Sequence, residues 1–196
     1  MPRTARVLVD QGYYHIVTRG IDHRRLFRYK QDYDLFLEII ATYLKQFKVH
    51  VMNYCLMPNH VHLLMKAELA LDLPVFMKAI LQVYAAKFRS KYKSVGFIFQ
   101  NRYKSRLIDN DAYLLECARY IERNPIRAKI VEDAEEYSWS SYHYYAKGTF
   151  DRIITLPNPL YLDMADSDTK RKEAYVSFIC LQRAYDLIVD KALRIA

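Results

Sequence analysis

Two short apolar runs, residues 49–56 and 60–65, are separated by little more than Pro58 and Asn59, and nothing else in the chain restricts the fold as strongly. Runs of this length rich in Val, Leu, Met and Tyr read as strands, and so short a connection returns the second beside the first, antiparallel. The returning strand carries His60 and His62, two residues apart, so both imidazoles face one side of a sheet. Side by side they can hold one divalent cation and leave coordination positions open, as a catalytic metal site requires. The competing reading is a pair of structural histidines bonded to backbone.

The flanking segments supply the rest of a fold. Residues 13–19, aromatic and β-branched and closed by Gly20, read as a first strand. Tyr33, Phe36, Leu37, Ile40 and Leu44 then recur at helical spacing over residues 31–46, with Asp32 near the start. A second amphipathic helix covers residues 73–92 with Phe76, Ile80, Val83, Tyr84 and Phe88 as its stripe, and Gly96 lies just beyond. Residues 97–108 read as a fourth strand in which Arg102, Lys104 and Arg106 alternate with Tyr103, Ser105 and Leu107, which makes one face basic. A third helix begins near Asp109, Asn110 or Asp111, any of which can cap it, and runs to Pro125. The order βαββαβ followed by a helix predicts an α+β, ferredoxin-like antiparallel sheet with its two main helices on one face. Residues 1–130 form this unit. Residues 131–196 are expected to be a helical C-terminal extension packed on it and ending in a helix over 169–195, because Trp139, Tyr142, Phe178, Ile179, Leu181 and Leu187 need burial.

Composition narrows the partners. The chain of 196 residues is long enough for one sizeable core, and no apolar run approaches a membrane span. The first residues lack the apolar stretch of a secretory signal, so a cytoplasmic location is expected. Cys55, Cys117 and Cys180 are far apart and read as buried apolar filler rather than as disulfides or zinc ligands. Residues 1–130 hold 22 basic and 11 acidic side chains, against 8 and 11 in residues 131–196. A positive body with 18 Tyr and 9 Phe suits a nucleic-acid partner, since cations neutralise phosphates and rings stack on unpaired bases. An ordinary basic surface over an aromatic core is the duller alternative.

Tyr120 and Asn124, four apart on the third helix, share one helical face. A phenol can attack phosphorus to give a phosphotyrosine, and an amide oxygen one turn on can join two imidazoles on a cation. Tyr113 and Tyr103 compete for the first role, and Glu116 and Glu122 for the second. His15 can face the same pocket if its strand neighbours the third, although a structural role is the simpler one.

Four blocks in order carry a family resemblance. They are Tyr14-His-Ile-Val-Thr-Arg-Gly20; Cys55-Leu-Met-Pro-Asn-His-Val-His62; Gly96-Phe-Ile-Phe-Gln-Asn-Arg-Tyr-Lys-Ser105; and Tyr120-Ile-Glu-Arg-Asn-Pro-Ile-Arg-Ala128, trailed by Tyr137-Ser-Trp-Ser-Ser141. The series resembles REP-associated tyrosine transposases, single-tyrosine HUH endonucleases akin to the transposases that move insertion sequences as single strands. The resemblance spans roughly residues 5–145. It implies His60 and His62 as metal ligands, Asn124 as a third ligand where related transposases carry Gln, Tyr120 as nucleophile, and Mg²⁺ or Mn²⁺ as cation. It further implies cleavage and rejoining of single-stranded DNA at hairpins of repetitive extragenic palindromes through a 5′-phosphotyrosine. Arg19, Arg24, Arg25, Arg102, Lys104 and Arg106 are candidates for phosphate contacts. Arg123 and Arg127 flank the nucleophile and would bind the scissile phosphate or satisfy the helix end. Phe97, Phe99 and Tyr103 are offered for base stacking, with core roles favoured. A homodimer and a monomer both stay open. The rival functions are a non-catalytic nucleic-acid-binding module and, behind it, a small-molecule metallohydrolase that leaves the charge asymmetry unexplained.

Overall fold

A computed structural model describes residues 7–181 of the chain. Strands β1 (Gly12–Arg19), β2 (Val49–Met57), β3 (His60–Ala67) and β4 (Lys104–Ile108) form one antiparallel sheet in the order β2-β3-β1-β4. Helix α1 (Lys30–Leu44) joins β1 to β2 and α2 (Asp72–Tyr92) joins β3 to β4, which is the ferredoxin-like arrangement. The hairpin register is tight, with Met57 opposite His60, and continues to Val49 opposite Ala67. A bulge between Val51 and Asn53 inserts Met52 and flips the side-chain phase. Val49 and Val51 before the bulge and Tyr54 and Leu56 after it therefore join the same core.

Alternation divides the sheet into two buried faces. Tyr14, Ile16, Val61, Leu63 and Met65 pack with Phe36, Ile40, Phe76, Ile80 and Tyr84 of α1 and α2. Val17, Cys55, Met57 and Leu64 point the other way, against Leu114, Cys117, Ala118, Tyr120 and Ile121 of α3 (Asp111–Arg127). The two main helices thus cover one face, as the βαββαβ order implies, and α3 covers the opposite one. Among the three capping candidates it is Asn110 that caps α3, its side chain accepting the Tyr113 N–H at 2.8 Å.

Three expectations need correction. The fourth strand is confined to Lys104–Ile108, because its ladder to β1 ends at Val17 opposite Lys104 and the preceding backbone turns to bridge Gly20 with Phe99. Arg102 therefore lies outside it. α3 does not end at Pro125 but continues to Arg127. Pro125 has no N–H for the Ile121 carbonyl, and the Asn124 side chain partly replaces it, Nδ2 donating to Tyr120 O at 2.8 Å and Ile121 O at 3.4 Å. Cys55 and Cys117 are buried as expected, whereas Cys180 is exposed.

Residues 131–181 contain α4 (Tyr142–Lys147), α5 (Pro159–Leu162) and α6 (Asp168–Cys180). Tyr142, Tyr145, Tyr161, Tyr175 and Ile179 make a separate small core, while Leu181 is left 47% exposed. The part of the expected terminal helix beyond residue 181, with Leu187, lies outside the described residues. Among the described residues no helix is long and apolar enough to cross a membrane.

Candidate active site

The histidines fall on the α3 face of the sheet. Val17 pairs with His62 across β1 and β3 and Leu64 pairs with His15, so His15 is the diagonal neighbour of His62. His15 Nε2 and His62 Nδ1 are 3.0 Å apart, and the His60 and His62 ring centroids are 4.9 Å apart and nearly perpendicular. Tyr120, on the face α3 turns to the sheet, sets its ring edge against both His62 and His15, with centroids at 5.6 Å and 5.8 Å. His15, His62 and Tyr120 have no exposed surface.

His60 is the member that meets solvent. It lines an open cavity of about 120 Å³ together with Arg19, His23, Asn59, Arg102 and Lys104. Its Nδ1 lies 2.7 Å from Asn59 Oδ1. Because an amide oxygen only accepts, Nδ1 carries the proton and Nε2 the lone pair in the neutral ring. Burial lowers the His60 pKa to about 4, the Asn124 side chain beside it pulling the other way and the charges of Arg19 and His23 adding to the fall. His62 is held well below its ordinary value, first by burial and then by the charges of His60, His15 and Arg127. Burial, with Arg106 assisting, takes His15 down to about 3. All three rings are therefore neutral at pH 7, the form in which imidazole binds a cation. The Nε2 atoms of both His60 and His62 are buried without a hydrogen-bond partner. Among the described residues no three or more His, Cys, Asp or Glu side chains are grouped to hold a metal ion, so a third protein ligand would have to be of another kind. With the Asn124 nitrogen committed to helix carbonyls, its oxygen is the end left for the His60 side.

Neither carboxylate offered as a substitute ligand is in place for the role. Glu116 binds Arg119 at 2.9 Å. Glu122 is fully buried and accepts from Asn53 at 3.0 Å and from Ser141. Burial raises its pKa to about 7 against those bonds and one from Tyr175. Tyr103 is buried in the α1 and α2 core, and Tyr113 lies under the Arg106 guanidinium at 4.7 Å.

The basic candidates separate. Arg19, Arg102 and Lys104 converge on the cavity beside His60. Arg127 stands 4.8 Å over the Tyr120 ring. Arg24 donates to Ser94 at 3.0 Å, and Arg25 is exposed nearby. Arg106 shares the α3 face of the sheet with Lys104 but lies over the Tyr113 ring at 4.7 Å, and it is Arg102 and Lys104 that line the cavity. Arg123, offered for phosphate, is 4% exposed and donates to the Ile179 and Cys180 carbonyls at 2.7 Å and 3.0 Å, so it serves the end of α6 instead. Residue typing missed His23, Asn59 and Gln100. His23 sits at φ 56° beside Asp22 at φ 48°, a left-handed turn that composition does not announce. Gln100 accepts from Arg19 across the cavity rim.

The model of the family described as "Transposase IS200 like" matches residues 8–124, and the chain belongs to that family. It is 31% identical over 100 residues to a Haemophilus influenzae protein that bears the REP-associated tyrosine transposase name. The match takes in 45% of this chain and 56% of that protein, so the chain spans little more than half the relative's length. A solved structure of a REP-associated tyrosine transposase bound to a REP hairpin shares the fold, with a TM-score of 0.66 at 16% identity over 80% of this chain and 92% of that one.

Proposed function

We propose that this chain is a metal-dependent endonuclease and strand transferase for single-stranded DNA, acting at hairpins of the repetitive extragenic palindrome type through a 5′-phosphotyrosine. The observation that carries the reading is the packing of Tyr120 against His62, whose Nε2, like that of His60, is buried, neutral and unpartnered. Family membership and the hairpin-bound structural relative support the choice of substrate. Mg²⁺ or Mn²⁺ fits the donor set of two imidazole nitrogens and the Asn124 oxygen, and such an ion supplies charge that polarises a non-bridging phosphate oxygen.

The residues of the chain do the rest. Arg19, Arg102 and Lys104 attract the phosphodiester to the cavity, and Arg127 supplies positive charge beside the phenol. The Tyr120 oxygen forms a bond to phosphorus as the bond from phosphorus to the 3′-oxygen breaks. The phenolic proton passes to water and the 3′-oxygen takes one up, leaving a 3′-hydroxyl and a 5′-phosphate held on Tyr120. The reverse step joins strands without ATP, because the ester conserves the bond. Since Tyr120 has no exposed surface, α3 must shift relative to the sheet before DNA reaches the hydroxyl.

The test is incubation with Mn²⁺ and a pool of DNA hairpins with randomised single-stranded flanks, read by denaturing gel for protein joined to DNA. An adduct is expected from the wild type, none from Tyr120→Phe, and none with EDTA. An adduct of undiminished yield in Tyr120→Phe removes that residue from the role, and DNA binding indifferent to chelator with no adduct under any metal supports a non-catalytic binding module.

A further inference from the structure

Phe97 keeps 81% of its surface in water, and Val95 91%, on the loop between α2 and β4. The sequence favours a core role for this ring, and the structure reverses it. The exposure does not come from a loosely held loop. Ile98, next in the chain, is 1% exposed, its carbonyl accepting the Ile21 N–H at 2.9 Å. The Gln100 N–H donates to Arg19 O at 2.9 Å, and Gly20 bridges Phe99. On the other side Arg24 donates to Ser94 at 3.0 Å. Gly96, at φ 84° in the region that favours glycine, makes the turn between these anchors. The phenyl ring is thus carried on fixed backbone and pointed at solvent.

Its surroundings are cationic rather than apolar. Exposed Lys93 leads into the loop, Arg24 bonds to Ser94 at its start, and Arg19, Arg102 and Lys104 line the cavity beside His60. Phe97 and Gln100, which lines that cavity, are three residues apart, at most about 10 Å of extended chain. An apolar protein partner would have to desolvate these cations, whereas a polyanion that also bears flat rings satisfies both features at once. We propose that Phe97 is a stacking platform for an unpaired base of the DNA strand, one or two nucleotides from the phosphate held beside His60. The inference rests on the DNA reading given above and adds the residue that grips the single strand next to the cleaved bond.

Stacking tolerates any base, so the probes are a thymidine 20-mer and an abasic 20-mer of equal length and charge, with affinities measured at one fixed salt concentration. Phe97→Ala is expected to weaken binding of the thymidine strand by about 5- to 150-fold. Phe97→Trp should restore it, and all three proteins should bind the abasic strand alike. Equal binding of the thymidine strand by wild type and Phe97→Ala, or an equal loss on both strands, overturns the proposal. If the wild type still forms its Mn²⁺-dependent adduct in that case, the stacking role falls alone. If the wild type binds neither strand the stacking proposal is overturned, and if it also forms no Mn²⁺-dependent adduct with the hairpin pool the DNA reading falls with it. Loss of self-association by Phe97→Ala in sedimentation, with DNA affinity intact, assigns the ring to a second copy of the chain and equally overturns the proposal.

Discussion

At the scale of single residues, Asp32 shows how one buried charge ties the helical layer together. Its carboxylate, 2% exposed, accepts from the backbone N–H groups of Arg28 at 2.8 Å and Tyr29 at 3.0 Å, and from Lys91 and Tyr92 at 2.6 Å each. Burial pushes its pKa up, but the bonds from Lys91, Tyr92, Arg28 and Tyr29 together outweigh it and hold the group below the ordinary 3.8. A folded pKa below the unfolded one means that the fold prefers the ionised form. The stabilisation is complete above the unfolded value and is lost as pH falls through the folded one. Asp32→Asn is therefore expected to lower stability at pH 7 by about 1–3 kcal/mol. The difference in melting temperature from wild type should shrink as the pH drops below 4. A gap of equal size at pH 7 and pH 3 would mean that the charge contributes nothing and that only the shape of the side chain matters.

At the scale of elements, α3 decides whether the site can form. Asn124 repairs the ladder broken by Pro125 and has its side chain beside His60, and two substitutions separate the repair from the proposed ligand role. Asn124→Ala should lose about 1 kcal/mol of stability and weaken Mn²⁺ binding, measured by calorimetry, by about tenfold or more. Asn124→Asp keeps an acceptor but loses the donor, so it should show the stability loss while retaining the metal. If both variants bind Mn²⁺ as the wild type does, Asn124 is a helix-repair residue only. Periodicity made the hairpin, both main helices and the shared face of Tyr120 and Asn124 legible, because each depends on spacing alone. It placed the end of α3 too early, since a side-chain amide substituting for a missing N–H leaves no periodic trace. It made β4 too long because residues 97–103 alternate like a strand yet are held to β1 by an isolated bridge, Gly20 with Phe99, rather than by a continued ladder. The contact between His15 and His62 needed the register of β1 on β3, a non-local fact that no local pattern contains.

At the scale of the molecule, the βαββαβ unit leaves β2 at one border of its sheet, and residues 131–181 cover that border. Leu56 N–H donates to Trp139 O at 2.8 Å, Ser141 N–H to Tyr54 O at 3.0 Å, and Tyr137 and Tyr145 hydroxyls to Leu56 O and Met52 O at 2.7 Å each. Trp139 stacks on Tyr33 of α1 at 4.5 Å. The weak patterning beyond Ile130 hid this, because a strip paired to an edge and short helices around Tyr145 have no repeat long enough to read. Without the extension, buried Glu122 loses Ser141 and Tyr175, Arg119 loses the Leu181 carbonyl, and Arg123 loses those of Ile179 and Cys180. Leaving a buried polar group unsatisfied costs about 1–3 kcal/mol, and a domain of this size has about 5–15 kcal/mol to lose. The open β2 edge also becomes a template for pairing with another copy. A chain ending at Ile130 is therefore expected to elute as aggregate or to melt without a cooperative transition, whereas the 196-residue chain should give a single sharp transition in circular dichroism. A monomeric, cooperatively melting 1–130 would show that the sheet stands without its cover and that the extension serves some purpose other than stability.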